Sequence, residues 1–282
     1  MKNVVVLPNP KKDEGLKLTR QLLSKLNTLG FNTYIEKAFS GVGAAVVYDV
    51  FPAAAELIVV VGGDGSVIDA SRYALEHNIP IIGVNLGKVG YLTEVDPDNI
   101  NIFEKLLSDE YEIEDKMLLS VEVYEGDTAV RCNHLAVNDI VISHNNFLGI
   151  CEFLLENENG DGVKYRADGV VISTPEGSTA YSLSAGGPVV SHDVDAIVVT
   201  PVCPHSFFNR SIVFKSNEKI SVTNLGEDDL NICADGRLFK NLGKGQRCCV
   251  FASDKKMKML TFTKNNMFST LFKKMRILED IK

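Results

Sequence analysis

The feature that most constrains the fold is an apolar strand followed at once by a glycine-rich loop and a helix. Leu57 to Val61 is wholly apolar, which is typical of a strand covered on both faces in a parallel sheet. The loop Gly62-Gly63-Asp64-Gly65-Ser66 follows, and residues 67–76 have a helical pattern. Glycines let the backbone approach a ligand, and the free N–H groups at a helix start attract anions. The sequence therefore predicts a phosphate-binding loop in an α/β domain.

Asp64 is the unexpected residue in this loop. A carboxylate there would repel phosphate unless it accepts a hydroxyl proton or organises a divalent metal. The alternative is an ordinary helix N-cap, a common position for aspartate after a strand. No Gly-Lys-Ser/Thr ends the loop and it lacks Gly-x-Gly-x-x-Gly spacing, so it is neither a Walker A loop nor a Rossmann fingerprint. Asp64 is the candidate catalytic residue, and the candidate phosphate contacts are Gly62, Gly63, Gly65 and Ser66.

The first part of the chain alternates apolar strands with amphipathic helices. Residues 4–7, 57–61 and 79–84 predict strands, and residues 16–29 and 67–76 predict helices. This order indicates a Rossmann-like α/β domain with a parallel sheet.

From about Lys116 the pattern changes to short alternating β segments, among them residues 131–143 and 169–174. The tail returns to a helical pattern, with an apolar stripe at Phe268, Leu271, Phe272, Met275 and Leu278. We predict an α/β domain of residues 1–115 together with 258–282, and a mostly-β domain of residues 116–257. The helical tail is expected to pack back on the first domain.

Charge and cysteine usage exclude several classes of protein. The formal net charge is -8, which disfavours nucleic acid and anionic lipid as partners. The apolar runs are only strand length and no secretory signal is recognisable, so we expect a cytoplasmic protein with no membrane contact. The six cysteines form no C-x-x-C pair, which argues against structural zinc.

A second cluster of small and hydroxyl residues follows the predicted strand at residues 169–174. Gly177 to Ala180 would leave room for a ligand against the backbone, and Tyr181 offers a ring for stacking on a base. The segment Thr174-Pro175-Glu176-Gly177-Ser178-Thr179-Ala180-Tyr181 resembles the Thr-Pro-x-Gly-Ser-Thr-Ala-Tyr segment of NAD kinases, and the loop at 62–65 matches that family's Gly-Gly-Asp-Gly. Further family-like segments lie, in the right order, at residues 83–94, 138–139, 200–206 and 235–236.

The resemblance implies an ATP-dependent kinase that phosphorylates the adenosine ribose 2′-hydroxyl of NAD to give NADP. By the same resemblance the dinucleotide lies between the two domains, Asp64 is the base, Tyr91 stacks near the adenine, and Arg166 reaches a neighbouring subunit's ligand in a homo-oligomer, a dimer or tetramer. A divalent metal, Mg²⁺, is expected to arrive on the nucleotide phosphates, with no protein ligand assigned to it. The dinucleotide contacts carried over are Asp64, Gly65, Tyr91, Asn138, Asp139, Arg166, Asp168, Thr179, Ala180, Tyr181, Ser182, Leu183 and Ser184.

Four positions depart from the commonest family pattern: Ser66 for Thr, Asp139 for Glu, Glu176 for Thr or Ser, and Arg237 for Gln. Ser66 and Asp139 keep the hydroxyl and the carboxylate of the usual residues, and Glu176 and Arg237 alter the charge near the site. Two alternatives stay open at this point, a lipid kinase that shares the glycine loop and a non-catalytic dinucleotide-binding sensor.

Overall fold

A computed structural model describes residues 1–87, 90–126, 128–144 and 149–263, and position 271. The chain divides into two compact units. The first comprises Met1–Lys116 and the described residues from Met257 onward, and the second is Met117–Lys256.

The first unit is an α/β layer structure around one eight-stranded sheet. Its helices are α1 (Lys17–Thr28) and α2 (Asp64–His77), with 3₁₀ segments at Glu14–Leu16, Lys37–Phe39 and Pro97–Leu107. Its strands are β1 (Asn3–Pro8), β2 (Asn32–Glu36), β3 (Val46–Tyr48), β4 (Leu57–Gly62), β5 (Ile81–Asn85), β6 (Thr93–Val95), β7 (Glu112–Lys116) and β20 (Met257–Thr261).

The sheet of the first unit is parallel except at one edge. Its strand order is β3-β2-β1-β4-β5-β20-β7, with β6 paired to β5 and only β7 running antiparallel to its neighbour β20. Strands β4 and β5 are buried along their whole length, as their continuous apolar runs predict. The buried stripe Leu18, Leu22, Leu23 and Leu26 of α1 joins the same core. The predicted α/β fold with a parallel sheet is confirmed.

The second unit is built almost entirely of strands. Among its described residues, the one α-helix is the single turn α3 (Tyr181–Ser184), preceded by a 3₁₀ turn at Gly177–Thr179. The strands are β8 (Leu119–Glu125), β9 (Thr128–Ala136), β10 (Asp139–His144), β11 (Cys151–Glu156), β12 (Gly162–Ala167), β13 (Gly169–Ser173), β14 (Ala196–Val202), β15 (Ile212–Lys215), β16 (Ile220–Asn224), β17 (Leu230–Ala234), β18 (Arg237–Leu242) and β19 (Arg247–Ala252).

Two six-stranded sheets, β15-β14-β13-β10-β17-β18 and β12-β11-β16-β19-β8-β9, enclose the core of the second unit. Residues of both sheets contribute to one buried cluster, with Ile140 and Ile172 from the first sheet and Phe153 and Val222 from the second. Strand β10 runs antiparallel between β13 and β17, so that Ile140 lies opposite Ile172 and Ala234. The prediction of a mostly-β second part is confirmed.

One predicted segment is divided in the structure. Residues 131–143 form not one β segment but the end of β9 and most of β10, which belong to different sheets. The β structure is interrupted at Val137 and Asn138, because the Asp235 carboxylate accepts their backbone N–H groups at 2.8 and 2.7 Å. This bonding replaces a sheet partner at that point.

The predicted tail helix over residues 268–278 lies outside the described residues, apart from position 271. In the part of the chain that the structure describes, no helix has the length and apolarity needed to cross a membrane.

Candidate active site

The glycine loop connects β4 to α2 in the first unit. Gly62 is the last residue of β4, and its carbonyl accepts a hydrogen bond from Leu86 N at 2.7 Å. The helical bonding begins with Ser66 N, which donates to Gly63 O at 2.8 Å. A Cβ added at Gly62 would lie 2.3 Å from Ser66 Oγ, so the tight turn requires glycine there. The predicted strand, loop and helix are therefore confirmed.

Asp64 is held by the backbone of a second loop. Its carboxylate accepts Tyr91 N at 2.8 Å and Leu92 N at 3.0 Å. The N-cap alternative is wrong, because the N-cap position is Gly63 and Asp64 is the first helical residue. Gly90 makes this arrangement possible, since a Cβ there would lie 2.2 Å from Asp64 Oδ1. The carboxylate is fixed in orientation and half-buried, and Gly65 beside it has open space around its Cα.

Lys12 is a residue that sequence reasoning missed. A Cβ added at Gly63 would lie 2.5 Å from Lys12 Nζ, so the ammonium group lies directly over the glycine loop. Its own loop is fixed by the buried Asp13, whose carboxylate accepts Thr19 N at 2.9 Å and Thr19 Oγ1 at 2.6 Å. This places a cation beside the helix start of an acidic protein, where an anion would be bound.

The signal for Lys12 was present in the sequence. The apolar strand at residues 4–7 is followed by Asn9-Pro10-Lys11-Lys12. Strand β1 pairs in parallel with β4, so the two strands end at the same edge of the sheet, where ligands of α/β sheets bind. Asn9 reaches the glycine loop directly, because its Nδ2 donates to Ser66 Oγ at 2.8 Å.

No cluster of three or more His, Cys, Asp or Glu suited to a metal ion occurs among the described residues. Asp64 stands in the glycine loop as the first residue of α2. Mg²⁺ in phosphoryl-transfer sites is commonly held by one or two carboxylates together with substrate phosphates. A carboxylate beside a phosphate-binding loop fits that mode of binding.

In the second unit, Asn138 and Asp139 lie beside the half-buried carboxylate of Asp235. Asp235 accepts the backbone N–H groups of Val137, Asn138 and Asp139 at 2.8, 2.7 and 3.2 Å. Burial and the charge of Asp235 raise the pKa of Asp139 to about 7. Burial also raises the pKa of Asp235, while the three N–H donors and the charge of Arg237 oppose that rise. The Asp235 carboxylate thus positions the Asn138 turn, with the Asp139 carboxyl close enough to feel its charge.

The segment after β13 packs directly on Asn138. Thr174 Oγ1 donates to Val137 O at 2.7 Å and accepts Gly177 N at 3.0 Å. A Cβ added at Gly177 would lie 2.0 Å from Asn138 O. Glycine is therefore required at this position by close contact between two backbone segments. The structure thus brings Asn138 and Gly177 together.

The hydroxyl residues of this segment are mostly used inside the unit. Ser182 is fully buried, and its hydroxyl lies 3.1 Å from Thr200 Oγ1. Thr179 Oγ1 donates to Glu176 O at 3.0 Å. Tyr181, Leu183 and Ser184 are exposed, and Ala180 is half-buried. Tyr181, Leu183 and Ser184 therefore provide most of the accessible side-chain surface at this predicted dinucleotide site. The buried Ser182 stabilises the turn that carries them.

Asp168 immediately precedes β13, at the opposite end from Thr174, and Arg166 lies near the end of β12. Asp168 and Thr174 are six positions apart, which corresponds to roughly 20 Å along an extended strand. Arg166 Nε forms an exposed ion pair with Glu152 Oε1 at 3.0 Å, and a hydrogen bond to Asp168 raises the pKa of Cys203. Backbone bonding joins this end to His205, whose N donates to Arg166 O at 2.7 Å. The predicted contacts in the second unit therefore form two separate clusters.

Glu176 and Arg237, the two positions at which the charge differs from the family pattern, have different surroundings. Glu176 is buried, and its Oε1 lies 3.2 Å from His192 Nδ1. Arg237 is exposed in the hairpin that also carries Asp235. The buried carboxylate is thus matched by a histidine, and the exposed guanidinium adds positive charge near the Asp139 and Asp235 pair.

Comparison with known proteins decides the family. The ATP-NAD kinase N-terminal domain matches residues 4–111, and the ATP-NAD kinase C-terminal domain matches residues 137–262. The chain belongs to the NAD kinase family. The NAD kinase of Lachnoclostridium phytofermentans is 33% identical over 96% of this chain and 98% of its own length. That of Lachnospira eligens is 40% identical over 79% of this chain and 77% of its own length.

Solved structures of NAD kinases share the fold. Yeast NADH kinase complexed with NADH has a TM-score of 0.82 and 22% identity, covering 96% of this chain and 86% of its own. An NAD kinase from Archaeoglobus fulgidus in complex with ATP has a TM-score of 0.72 and 25% identity, covering 98% of this chain and 99% of its own. The lipid kinase and sensor alternatives are not favoured by these comparisons.

Proposed function

We infer that this chain phosphorylates the adenosine ribose 2′-hydroxyl of NAD with ATP and so produces NADP. The chain matches the NAD kinase family in both of its halves. The observation that carries the inference is the Asp64 carboxylate, held by two backbone N–H groups in the middle of a phosphate-binding loop. A carboxylate in that position suits a group that takes a proton beside a phosphoryl donor.

The reaction is an in-line phosphoryl transfer. The ribose 2′-oxygen forms a bond to the γ-phosphorus of ATP as the bond to the bridging β–γ oxygen breaks. The hydroxyl proton passes to the Asp64 carboxylate, and ADP leaves. The N–H groups of Tyr91 and Leu92 hold that carboxylate in one orientation, and correct positioning supplies a large part of the rate of such transfers.

The donor phosphates bind at the start of α2. The candidate contacts are the loop residues Gly62, Gly63, Gly65 and Ser66, together with the Lys12 ammonium over Gly63. Glycine allows the phosphates to approach the backbone, and the helix start and Lys12 balance their charge. Mg²⁺, bound to the nucleotide phosphates, would neutralise the charge that develops on them.

The acceptor dinucleotide would contact the residues that the family resemblance carries over. Tyr91 would stack near the adenine, Asn138 and Asp139 would hold the adenosine ribose, and residues 179–184 would contact the rest. The close packing of Gly177 on Asn138 supports this grouping within the second unit. Asp139 is one methylene shorter than the usual glutamate, so its bond to the ribose would be longer or bridged by water.

Arg166 would serve the dinucleotide of a second copy in a homo-oligomer, and Asp168 would contact the dinucleotide together with residues 179–184. Asp168 lies roughly 20 Å along β13 from Thr174, and Arg166 lies in the preceding strand, β12. An ion pair with Glu152 holds the Arg166 side chain at the surface, where a neighbouring subunit is accessible. We also place the enzyme in the cytoplasm, which supplies NAD and ATP.

The test is incubation of the purified protein with NAD, ATP and Mg²⁺, followed by detection of NADP with an NADP-specific dehydrogenase. We expect NADP to form in proportion to enzyme and time. NADH replaces NAD in a parallel reaction, and each reaction is repeated without ATP as the control. If the protein forms no NADP or NADPH under any of these conditions, the proposed function is wrong.

A further inference from the structure

The backbone that holds Asp64 belongs to a short segment beside β5. Tyr91 and Leu92, whose N–H groups bind the Asp64 carboxylate, lead directly into β6. Strand β6 has three residues, and among the strands that the structure describes it pairs with β5 alone. Such a short parallel strand with one neighbour is held only weakly by its pairing. Further contacts are therefore needed to fix this segment.

Glu94 supplies such a contact, because it joins β6 to the residues that follow β20. Its Oε1 accepts hydrogen bonds from Phe262 N at 2.8 Å, Thr263 N at 3.0 Å and Thr263 Oγ1 at 3.0 Å. Hydrogen bonds to a carboxylate are charge-assisted and roughly twice as strong as those between neutral groups. Glu94 is half-buried, so water competes with these bonds less than it does at an exposed carboxylate.

The topology of the sheet shows why a connection matters at this point. Strand β4 pairs with one edge of β5 along its whole length. The other edge is shared, because β20 pairs with it at Ile81 and β6 pairs with it from Gly83 onward. The chain beyond β20 therefore leaves β5 where β6 begins. Glu94 accepts the N–H groups of the first two residues beyond β20, at the place where the two strands meet.

Phe262 is a firm anchor for this connection. It is buried in the core of the first unit, and its ring meets that of Phe103 edge-on, with centroids 5.5 Å apart. Its carbonyl accepts a hydrogen bond from Lys105 Nζ at 3.3 Å. The ring, the carbonyl and the N–H group of Phe262 are thus all held within one unit. Glu94 therefore connects β6 to a fixed part of the core.

We propose that Glu94 is a positioning residue for the phosphoryl transfer. By fixing β6 to the end of β20, it keeps the N–H groups of Tyr91 and Leu92 where they orient the Asp64 carboxylate. The proposal rests on the proposed function, because Glu94 acts through Asp64 and is assigned no contact with either substrate. A misplacement of about 1 Å at a reacting group can cost about a hundredfold in rate. Loss of the connection should therefore slow the reaction and leave substrate binding intact.

Steady-state kinetics of two variants measures this effect. Glu94→Ala removes the connection, and we expect it to lower kcat by roughly ten- to a hundredfold. The KM values for NAD and ATP should change little, since the lost interaction serves the transition state and not the binding of substrate. Glu94→Gln keeps a side-chain oxygen that can accept the same N–H groups, so it should recover most of the lost kcat.

Glu56 offers a matched control within the same unit. Its Oε2 also accepts two backbone N–H groups, those of Lys2 and Asn3, at 2.7 and 2.9 Å, and the side-chain amide of Asn3 at 3.3 Å. Glu56 immediately precedes β4, at the opposite end of that strand from the glycine loop. Glu56→Ala should therefore lower the urea unfolding midpoint but keep the kcat of wild-type protein.

Hydrogen exchange tests the connection without turnover. Mass spectrometry follows the backbone amides of the full chain, without substrates, in wild-type protein and in both alanine variants. In Glu94→Ala the amides of Tyr91 and Leu92 should exchange faster than in wild-type protein, while those of β4 and α1 should not change. In Glu56→Ala the amides of Tyr91 and Leu92 should exchange as in wild-type protein.

Several results would overturn the proposal. Unchanged exchange at Tyr91 and Leu92 in Glu94→Ala, or an unchanged kcat, would show that the connection does not hold the segment or that the reaction does not need it. An equal loss of kcat in Glu56→Ala would point to a general loss of stability. Failure of both Glu94→Ala and Glu94→Gln to fold would mean that Glu94 supports the whole unit. If wild-type protein forms no NADP, the proposed function fails, and the exchange result alone decides whether Glu94 holds this segment.

Discussion

The two units each hold a carboxylate with backbone N–H groups, but in different surroundings. In the first unit Asp64 accepts the N–H groups of Tyr91 and Leu92, and Gly65 next to it has open space. In the second unit Asp235 accepts three N–H groups, and the second carboxylate, Asp139, is buried beside it. Similar bonding thus serves two purposes, since the carboxylate of Asp64, next to open space, can meet a substrate, and that of Asp235, next to a buried carboxyl, fixes a turn.

This difference shows why the type of a residue does not by itself give its role. The glycines of the two regions differ in the same way. Gly65 faces empty space, and Gly177 is in contact with the Asn138 backbone. A substitution at a glycine with open space around it should affect ligand binding. A substitution at a glycine in contact with neighbouring backbone should lower the stability of the fold.

The largest expected effect tests whether Asp64, and not Asp235, takes part in the reaction. Asp64→Asn keeps the shape of the side chain but removes its ability to take the proton. We expect kcat to fall by about a thousandfold or more, on the order of 4 kcal/mol, while the Kd for NAD changes little. Steady-state kinetics and calorimetry measure the two quantities. Asp98→Asn, at an exposed position of the same unit, is the control, and near-normal turnover in Asp64→Asn would rule out the role.

The next prediction tests the contrast between Gly177, which contacts neighbouring backbone, and Gly65, which has open space around it. A methyl group at Gly177 would lie 2.0 Å from Asn138 O, so the backbone must shift. We expect Gly177→Ala to lower the free energy of unfolding by about 3 kcal/mol. Gly65→Ala has nothing within 4 Å and should unfold at nearly the same urea concentration as wild-type protein. Equal unfolding midpoints for the two variants would contradict the contrast.

Local sequence was sufficient for the strand, glycine loop and helix at residues 57–77, because an apolar run and its glycines act over a few residues. It was not sufficient for the partners of Asp64, since Tyr91 lies 27 positions further along the chain. The break at Val137 and Asn138 depends on Asp235, 97 positions beyond Asn138. Such contacts are decided by tertiary packing, which a single sequence does not display.

Lys12 and Ser182 illustrate the same limit. The position of Lys12 over the glycine loop follows from the parallel pairing of β1 with β4, which local patterns do not specify. Ser182 was expected to contact the dinucleotide, yet its hydroxyl lies in a buried contact with Thr200. Hydroxyl groups that bind a ligand and hydroxyl groups that satisfy buried backbone or side chains have the same sequence signature.

A pH profile tests whether the second-unit carboxylates are an enclosed pair. The pKa of Asp139 is raised to about 7 in the folded protein, so between pH 4 and 7 the folded state binds more protons than the unfolded state. Its contribution to stability therefore declines as pH rises through this window. For this group alone, the free energy of unfolding should fall by roughly 2 kcal/mol between pH 5 and 7.

Asp139→Asn removes that decline, because the amide does not titrate. Urea unfolding midpoints of both proteins at pH 5, 6 and 7 measure the effect. We expect the variant to gain stability relative to wild-type protein as pH rises, and Asp98→Asn to follow the wild-type profile. Parallel profiles for Asp139→Asn and wild-type protein would show that Asp139 titrates as an ordinary surface carboxyl.

The smallest expected effect extends the comparison to an exposed ion pair between β11 and β12. The ion pair of Arg166 with Glu152 is open to solvent, so breaking it should change the free energy of unfolding by less than about 0.5 kcal/mol. Arg166→Gln and Glu152→Gln break the same pair, but only the first removes the cation proposed to bind a second copy's dinucleotide. We expect Arg166→Gln alone to raise the KM for NAD, by about tenfold for one lost charge-assisted hydrogen bond. An equal rise in both variants would mean that the ion pair acts by holding the end of the sheet in place, and no rise in either would remove Arg166 from the site.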